Sequence, residues 1–144
     1  MAAVAESKAV TAVRAAVAAL NAGDIDGYLG YFDSSCGRWL AGNAQPLTLT
    51  DVGDGLRQLH GAFEGLHLDE DVVFGDERFV CARWRLRGIH VNDYLGCAPA
   101  GRSIDVETCE VYEIGSGLVV ASWVYGDLLG QLVGQIAVDG GDGV

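Results

Sequence analysis

The chain has 144 residues, 50% of them apolar, which is enough for one domain with a buried core. Lys and Arg number 9 against 20 Asp and Glu, and the net charge of -11 repels phosphate backbones and anionic lipid surfaces, which argues against nucleic-acid and peripheral membrane roles. No apolar run reaches the roughly 18 to 20 residues of a spanning helix, and Met1 to Glu6 lacks the basic flank and long apolar stretch of a signal peptide, so the expected location is the cytoplasm.

Val10, Val13, Val17 and Leu20 recur at steps of three and four and predict an amphipathic helix over 7–22, ended by Asn21-Ala22-Gly23. Asp24 can cap a short second helix carrying Ile25, Tyr28, Leu29 and Phe32 on one side, which Ser34-Ser35 breaks. Arg38-Trp39-Leu40 reads as extended. After Pro46, Thr50 and Asp51 can cap a third helix whose apolar stripe of Val52, Leu56, Leu59 and Phe63 is interrupted only by His60, with Gly65 as its stop.

From about residue 68 the period becomes alternating, with strands expected near 70–75, 78–91, 103–114 and 117–126. Arg83, Arg85 and Arg87 then share one face and Val80, Ala82, Trp84 and Leu86 the other. If 92–102 is a long hairpin connection, Arg87 faces Asp105 and Arg85 faces Glu107. Gly96, Pro99 and Gly101 prevent regular pairing there, and 92–101 is expected to be a mobile lid at the mouth of a pocket. The last hairpin turns at Gly115-Ser116-Gly117. A two-residue turn puts Trp123 and Tyr125 on the inner face; a three-residue turn with a bulge puts Ser122 and Val124 there. Residues 1–136 form the expected domain and 137–144, rich in Gly and Asp, a disordered tail.

Cys36, Cys81, Cys97 and Cys109 match no zinc spacing, and His60, His67 and His90 form no local metal motif, so neither a metal nor a cofactor is expected. Phosphate-binding loops and a GxSxG elbow are missing too, so chemistry has to come from scattered pocket residues. The inner face of the third strand, Val106, Thr108, Glu110 and Tyr112, places one carboxylate among aromatic and aliphatic groups. Glu110 is either a structural residue bonded to a helix end or to Arg38, or a pocket carboxylate for proton transfer. His60 either bonds a backbone carbonyl or a tyrosine, or orients a substrate oxygen. Tyr31, Trp39, Trp84 and Tyr112, with Leu20 and Val124, are candidates for pocket walls or ordinary core.

Gly88-Ile-His90-Val-Asn-Asp-Tyr-Leu-Gly96-Cys-Ala98-Pro99-Ala-Gly101-Arg102 resembles the GxHxGxxxGxxPTGR-like crossover of SnoaL-like polyketide cyclases, and Asp127-Leu-Leu-Gly130-Gln-Leu resembles that family's DxxGxxxQLG close. Leu20-Asn21-Ala-Gly23-Asp24 and Tyr31-Phe32-Asp33 carry the resemblance more faintly, so that it spans residues 8 to 136. It implies the cone-shaped α+β barrel shared with nuclear transport factor 2, ketosteroid isomerase and scytalone dehydratase: three N-terminal helices on a curved antiparallel sheet. It also implies a homodimer through the outer sheet face, where the bulged turn would put Trp123 and Tyr125.

Aldol-condensing members of the family carry Gln-x-His on one strand and His-x-Asp on the next, the Asp being the general acid/base. Those positions fall here on Thr108 and Glu110, and on Ser122 and Val124. Valine cannot move a proton. Either Glu110 has taken over the acid/base role, or the pocket templates a closure that transfers no proton, such as an indane-forming [4+2] cyclisation of a linear polyketide. Other readings are an isomerase or cofactor-free hydroxylase using Glu110 or Asp127 beside His60 or His90, and a non-catalytic binding domain.

Overall fold

The computed structural model describes residues 6–137, so the expected tail lies, apart from Ala137, outside the described residues. Ser7 caps helix α1 (Lys8–Asn21) by accepting from the Val10 N–H at 3.0 Å, and the helix buries Val10, Val13, Val17 and Leu20 as its spacing predicts. Asn21 then holds both the N–H and C=O of Leu68, fixing the end of α1 to the sheet. Asp24 caps α2 (Ile25–Leu29), which is shorter than predicted because Phe32 already opens strand β1 (Phe32–Leu40). Ser34-Ser35 is not what breaks the helix, since α2 has already ended at Leu29 and both serines lie within β1. Asp33 folds onto Ser35 inside an irregular stretch of β1.

Helix α3 (Leu49–Ala62) is capped by Thr48 rather than by Thr50 and Asp51. Asp51 is the third helical residue and completes a reciprocal capping box with Thr48, a pair that satisfies two orphan N–H groups. Strand β2 (Phe63–Gly75) starts directly after the helix, seven residues before the predicted onset at 70, so Gly65 does not act as a stop. With φ at +64° it sits where the β2–β3 register slips between Glu64 and His67, a bend that costs glycine little. Strands β3 (Phe79–His90), β4 (Ser103–Gly115) and β5 (Leu118–Tyr125) follow as an antiparallel meander.

The five strands make one curved, unclosed sheet in the order β1-β5-β4-β3-β2, with β1 parallel to β5. The fold is α+β, with α1, α2 and α3 gathered over the inner face. The expected charge pairing is present on the outer face, where Arg87 pairs with Asp105 and Arg85 with Glu107 in the β3–β4 register. The last hairpin combines both alternatives. Its turn has two residues, Ser116 and Gly117, both at positive φ, while a bulge between Glu113 and Ile114 in the register leaves Val120 unpaired. That extra residue restores Ser122 and Val124 to the inner face.

Helix α4 (Leu128–Ile136), not predicted as an element, seals the open end of the sheet with buried Leu132 and Ile136. β5 stops opposite Cys109, so the backbone of β4 before that point, paired with β3 on one side, lacks a strand neighbour on the other. Gln131 and Gln135 supply it: their amides bond the N–H and C=O of Glu107 and of Asp105 respectively. Four helical residues rise about 6 Å, close to the rise of two strand residues, so one helix face can mimic a strand edge.

Candidate functional site

The buried residues form two clusters, one around α1, Trp84 and Tyr112 and the other around Leu86, Val106 and α4. Between them the inner face of the sheet lines a half-open cavity of about 530 Å³, within the usual size range of small-molecule sites. Its walls are mostly aliphatic: α3 supplies Val52, Leu56 and Leu59, β2 supplies Leu66 and Leu68, and β3 and α4 supply Leu86 and Leu132.

At one end the strands bring polar groups together. Arg38 of β1 lies opposite Ser122 of β5, and Tyr112 of β4 lies opposite the same serine. The small side chain of Ser122, fully buried, lets the arginine stem cross β5. The Arg38 Nη2 then donates to Glu110 Oε2 at 3.0 Å and to the Tyr28 hydroxyl at 2.7 Å. Trp84 Nε1 donates to the Tyr112 hydroxyl at 3.1 Å. Arg38 and Glu110 are a buried ion pair, with side chains 15% and 9% exposed. Burial, the largest single influence, works against the Arg38 cation, but Glu110, Tyr28 and Tyr112 together outweigh it and hold the guanidinium pKa above its ordinary value. Burial, aided by the Glu110 charge against the opposing influence of Arg38, pushes Tyr28 up to about 12 and raises Tyr112 well above 10.0. Both phenols are therefore neutral donors at physiological pH.

Of the residues singled out from the sequence, Leu20, His60, Trp84, Thr108, Glu110, Tyr112, Val124 and Asp127 line this cavity. Val124 stands directly opposite Glu110. The His60 Nδ1 lies 3.0 Å from the Leu56 carbonyl, an acceptor, so it carries the proton and leaves Nε2 as the acceptor. Asp127 is at the rim, where its carboxylate caps α4 by accepting from the Gly130 N–H.

Four others do not line the cavity. Trp39 follows Arg38 on β1, so strand alternation turns it to the outer face, where it is 38% exposed. Tyr31 packs on the α1 cluster beside the start of β1. Ser122 lies beneath the Arg38 stem. His90 is fully buried and stacks on Phe63 at 5.2 Å, with neither ring nitrogen bonded. The 92–101 connection does border the cavity, through Leu95 and the buried Tyr94, whose ring meets Phe63 edge-on at 5.4 Å. Sequence reasoning named Arg38 only as a partner for Glu110 and placed Tyr28 only on a helix face. The signal available was a lone cation in β1 that no neighbouring acid answers.

Among the described residues no group of His, Cys, Asp and Glu is placed to hold a metal ion, and no helix is long and apolar enough to cross a membrane. The aliphatic walls of the cavity can hold an apolar molecule and its polar end can offer a cluster of hydrogen-bond donors beside one paired carboxylate.

Comparison with solved structures places the fold. AclR of Streptomyces galilaeus, called a hydroxylase, superposes with a TM-score of 0.81 at 19% identity, over 90% of this chain and 95% of its own. A Xanthomonas campestris protein called a polyketide cyclase gives 0.78 at 17% identity, over 90% and 97% of the two chains. IdmH of Streptomyces antibioticus, also called a polyketide cyclase, gives 0.74 at 19% identity, over 86% and 97%. No curated protein matches by sequence. The sequence profile of the SnoaL-like polyketide cyclases matches residues 10–134, and with all five strands and the cavity lining inside that span the chain belongs to the SnoaL-like polyketide cyclase family.

Proposed function

We propose that the protein closes a carbocycle in a linear polyketide by holding the chain in its reactive fold, a [4+2] cyclisation of the indane-forming type that IdmH represents. One observation carries this reading: Glu110 is engaged by Arg38, and the residue facing it on β5 is Val124, so no acid or base stands directly opposite it on that strand. A [4+2] closure forms two carbon–carbon bonds without transferring a proton and needs no cofactor. Its barrier is in large part the entropy of folding the chain, which a shaped apolar wall can lower. Leucines on three sides and the Trp84 ring supply such a wall.

The test is incubation of the purified protein with linear polyene polyketides, followed by product mass and structure. An isomeric carbocycle formed faster than in buffer is the expected result. A product heavier by one oxygen would identify a hydroxylase, and an isomer with a moved double bond and no ring would identify a proton-transfer isomerase; either overturns the reading. Binding without turnover would identify a binding domain.

We further propose that the outer sheet face meets a second copy. Trp39, Trp123, Val111, Cys81 and Phe74 are successive register partners and form one apolar row across all five strands. Phe74, at the β2 end of the row, is 60% exposed, and Tyr125, two residues beyond Trp123 on β5, is 54% exposed; an apolar surface of this kind marks an interface. Light scattering should give twice the chain mass, and Trp123→Glu should give the monomer.

A further inference from the structure

The polar end of the cavity has more donors than acceptors, and the imbalance specifies what a ligand must bring. A guanidinium has five N–H donors. Both bonds that Arg38 makes to Tyr28 and Glu110 use Nη2, while Nε is buried without a partner. The Tyr28 and Tyr112 hydroxyls accept, from Arg38 and Trp84, which leaves each hydroxyl proton free to be donated. Against these donors stands the carboxylate of Glu110, already paired. The cluster therefore calls for an acceptor.

Charge decides which acceptor. The Arg38 cation and the Glu110 anion cancel, so the cluster has no net attraction for an anion. A carboxylate placed here would sit beside Glu110, with Asp51 and Asp127 also on the lining and a net charge of -11 on the whole chain. Like charges that close, in a poorly solvated site, repel strongly. A carbonyl oxygen can take the same N–H and O–H donors without that penalty.

We propose that Arg38 binds a neutral carbonyl oxygen of the substrate, a ketone or ester rather than a free acid, with Tyr28 or Tyr112 as the second donor and the rest of the molecule against the leucine wall. This rests on the reading of the cavity as the substrate site, and it makes Arg38 a residue that selects the substrate. The substrate then arrives with its carboxyl end esterified, or buries a ketone while the acid stays outside.

Non-reacting probes test it separately from catalysis. Calorimetry at pH 7 with 2-decanone and decanoate should show the ketone binding the wild-type protein at least about tenfold more tightly. Glu110→Gln keeps the shape but leaves the Arg38 charge uncancelled, so it should shift the ketone-to-decanoate ratio towards decanoate by about tenfold or more. Equal or tighter decanoate binding by the wild type overturns the proposal. So does an unchanged ratio in Glu110→Gln. Absence of binding by either probe also overturns it, while the cyclase reading still stands or falls on the polyene assay.

Discussion

Arg38 and Glu110 are separated by 72 residues of sequence and by the whole of strand β5, yet their side chains meet at 3.0 Å over the floor of the cavity. A buried pair of this kind contributes little net stability while intact, but losing one partner strands a charge. Glu110→Ala should therefore destabilise the fold by about 3–5 kcal/mol, and Arg38→Met/Glu110→Met, which removes both charges, by much less. Urea unfolding of the two variants measures the difference.

Turnover should separate shape from proton transfer. If the wall templates the reaction, Glu110→Gln should slow it by less than about the 10²-fold typical of losing a general acid or base. Trp84→Ala should hurt more, opening a cavity at a residue only 2% exposed and costing about 3–5 kcal/mol of stability. Abolished turnover in a folded Glu110→Gln protein, with a rate that titrates as one group, would make Glu110 a general acid/base and end the pericyclic reading.

Ser122 is the passage for the Arg38 stem, so filling it should act on Arg38. Ser122→Leu should cost about 1–3 kcal/mol by overpacking and should lower affinity for 2-decanone while sparing helices and sheet. Circular dichroism with calorimetry checks both halves.

His60 gives its Nδ1 proton to Leu56 one turn back, a local bond that a protein can lose cheaply. His60→Ala should leave stability within about 1 kcal/mol of the wild type. A fall in turnover beyond that explained by the melting shift would assign Nε2 a substrate contact; a proportional fall would show a structural histidine.

Alkaline pH should unfold the protein through its buried acids. Tyr28 is held at about 12 against 10.0 by burial, and Cys36 at about 11 against 9.0, also by burial. Above the unfolded values the unfolded chain releases protons that the folded chain retains, so stability is whole below about pH 9 and falls from there to pH 12. Tyr28 alone accounts for about 2 to 3 kcal/mol of that loss. Urea midpoints across this range, with tyrosinate absorbance, test it.

The sequence alone determined the order of elements from α1 to β5, the inner and outer faces of β3 and β4 and the charge pairs between them, because each follows from a local period that helix and strand geometry translate directly. It also reached the family, through the crossover at Gly88 to Arg102. It did not reach the beginning of β2, where Phe63 to Leu68 carry no clean alternation, nor α4, whose glutamines make sense only beside a β4 edge that β5 has left. The inner placement of Val124 hung on one unpaired residue, Val120, and the turn chemistry by itself argued the opposite face. Above all, Arg38 and Tyr28, ten residues apart on consecutive elements, meet Glu110, which lies 72 residues beyond Arg38. Their meeting depends on β1 running parallel beside β5 and on Ser122 being small enough to let a long side chain cross, and both are decided by tertiary packing.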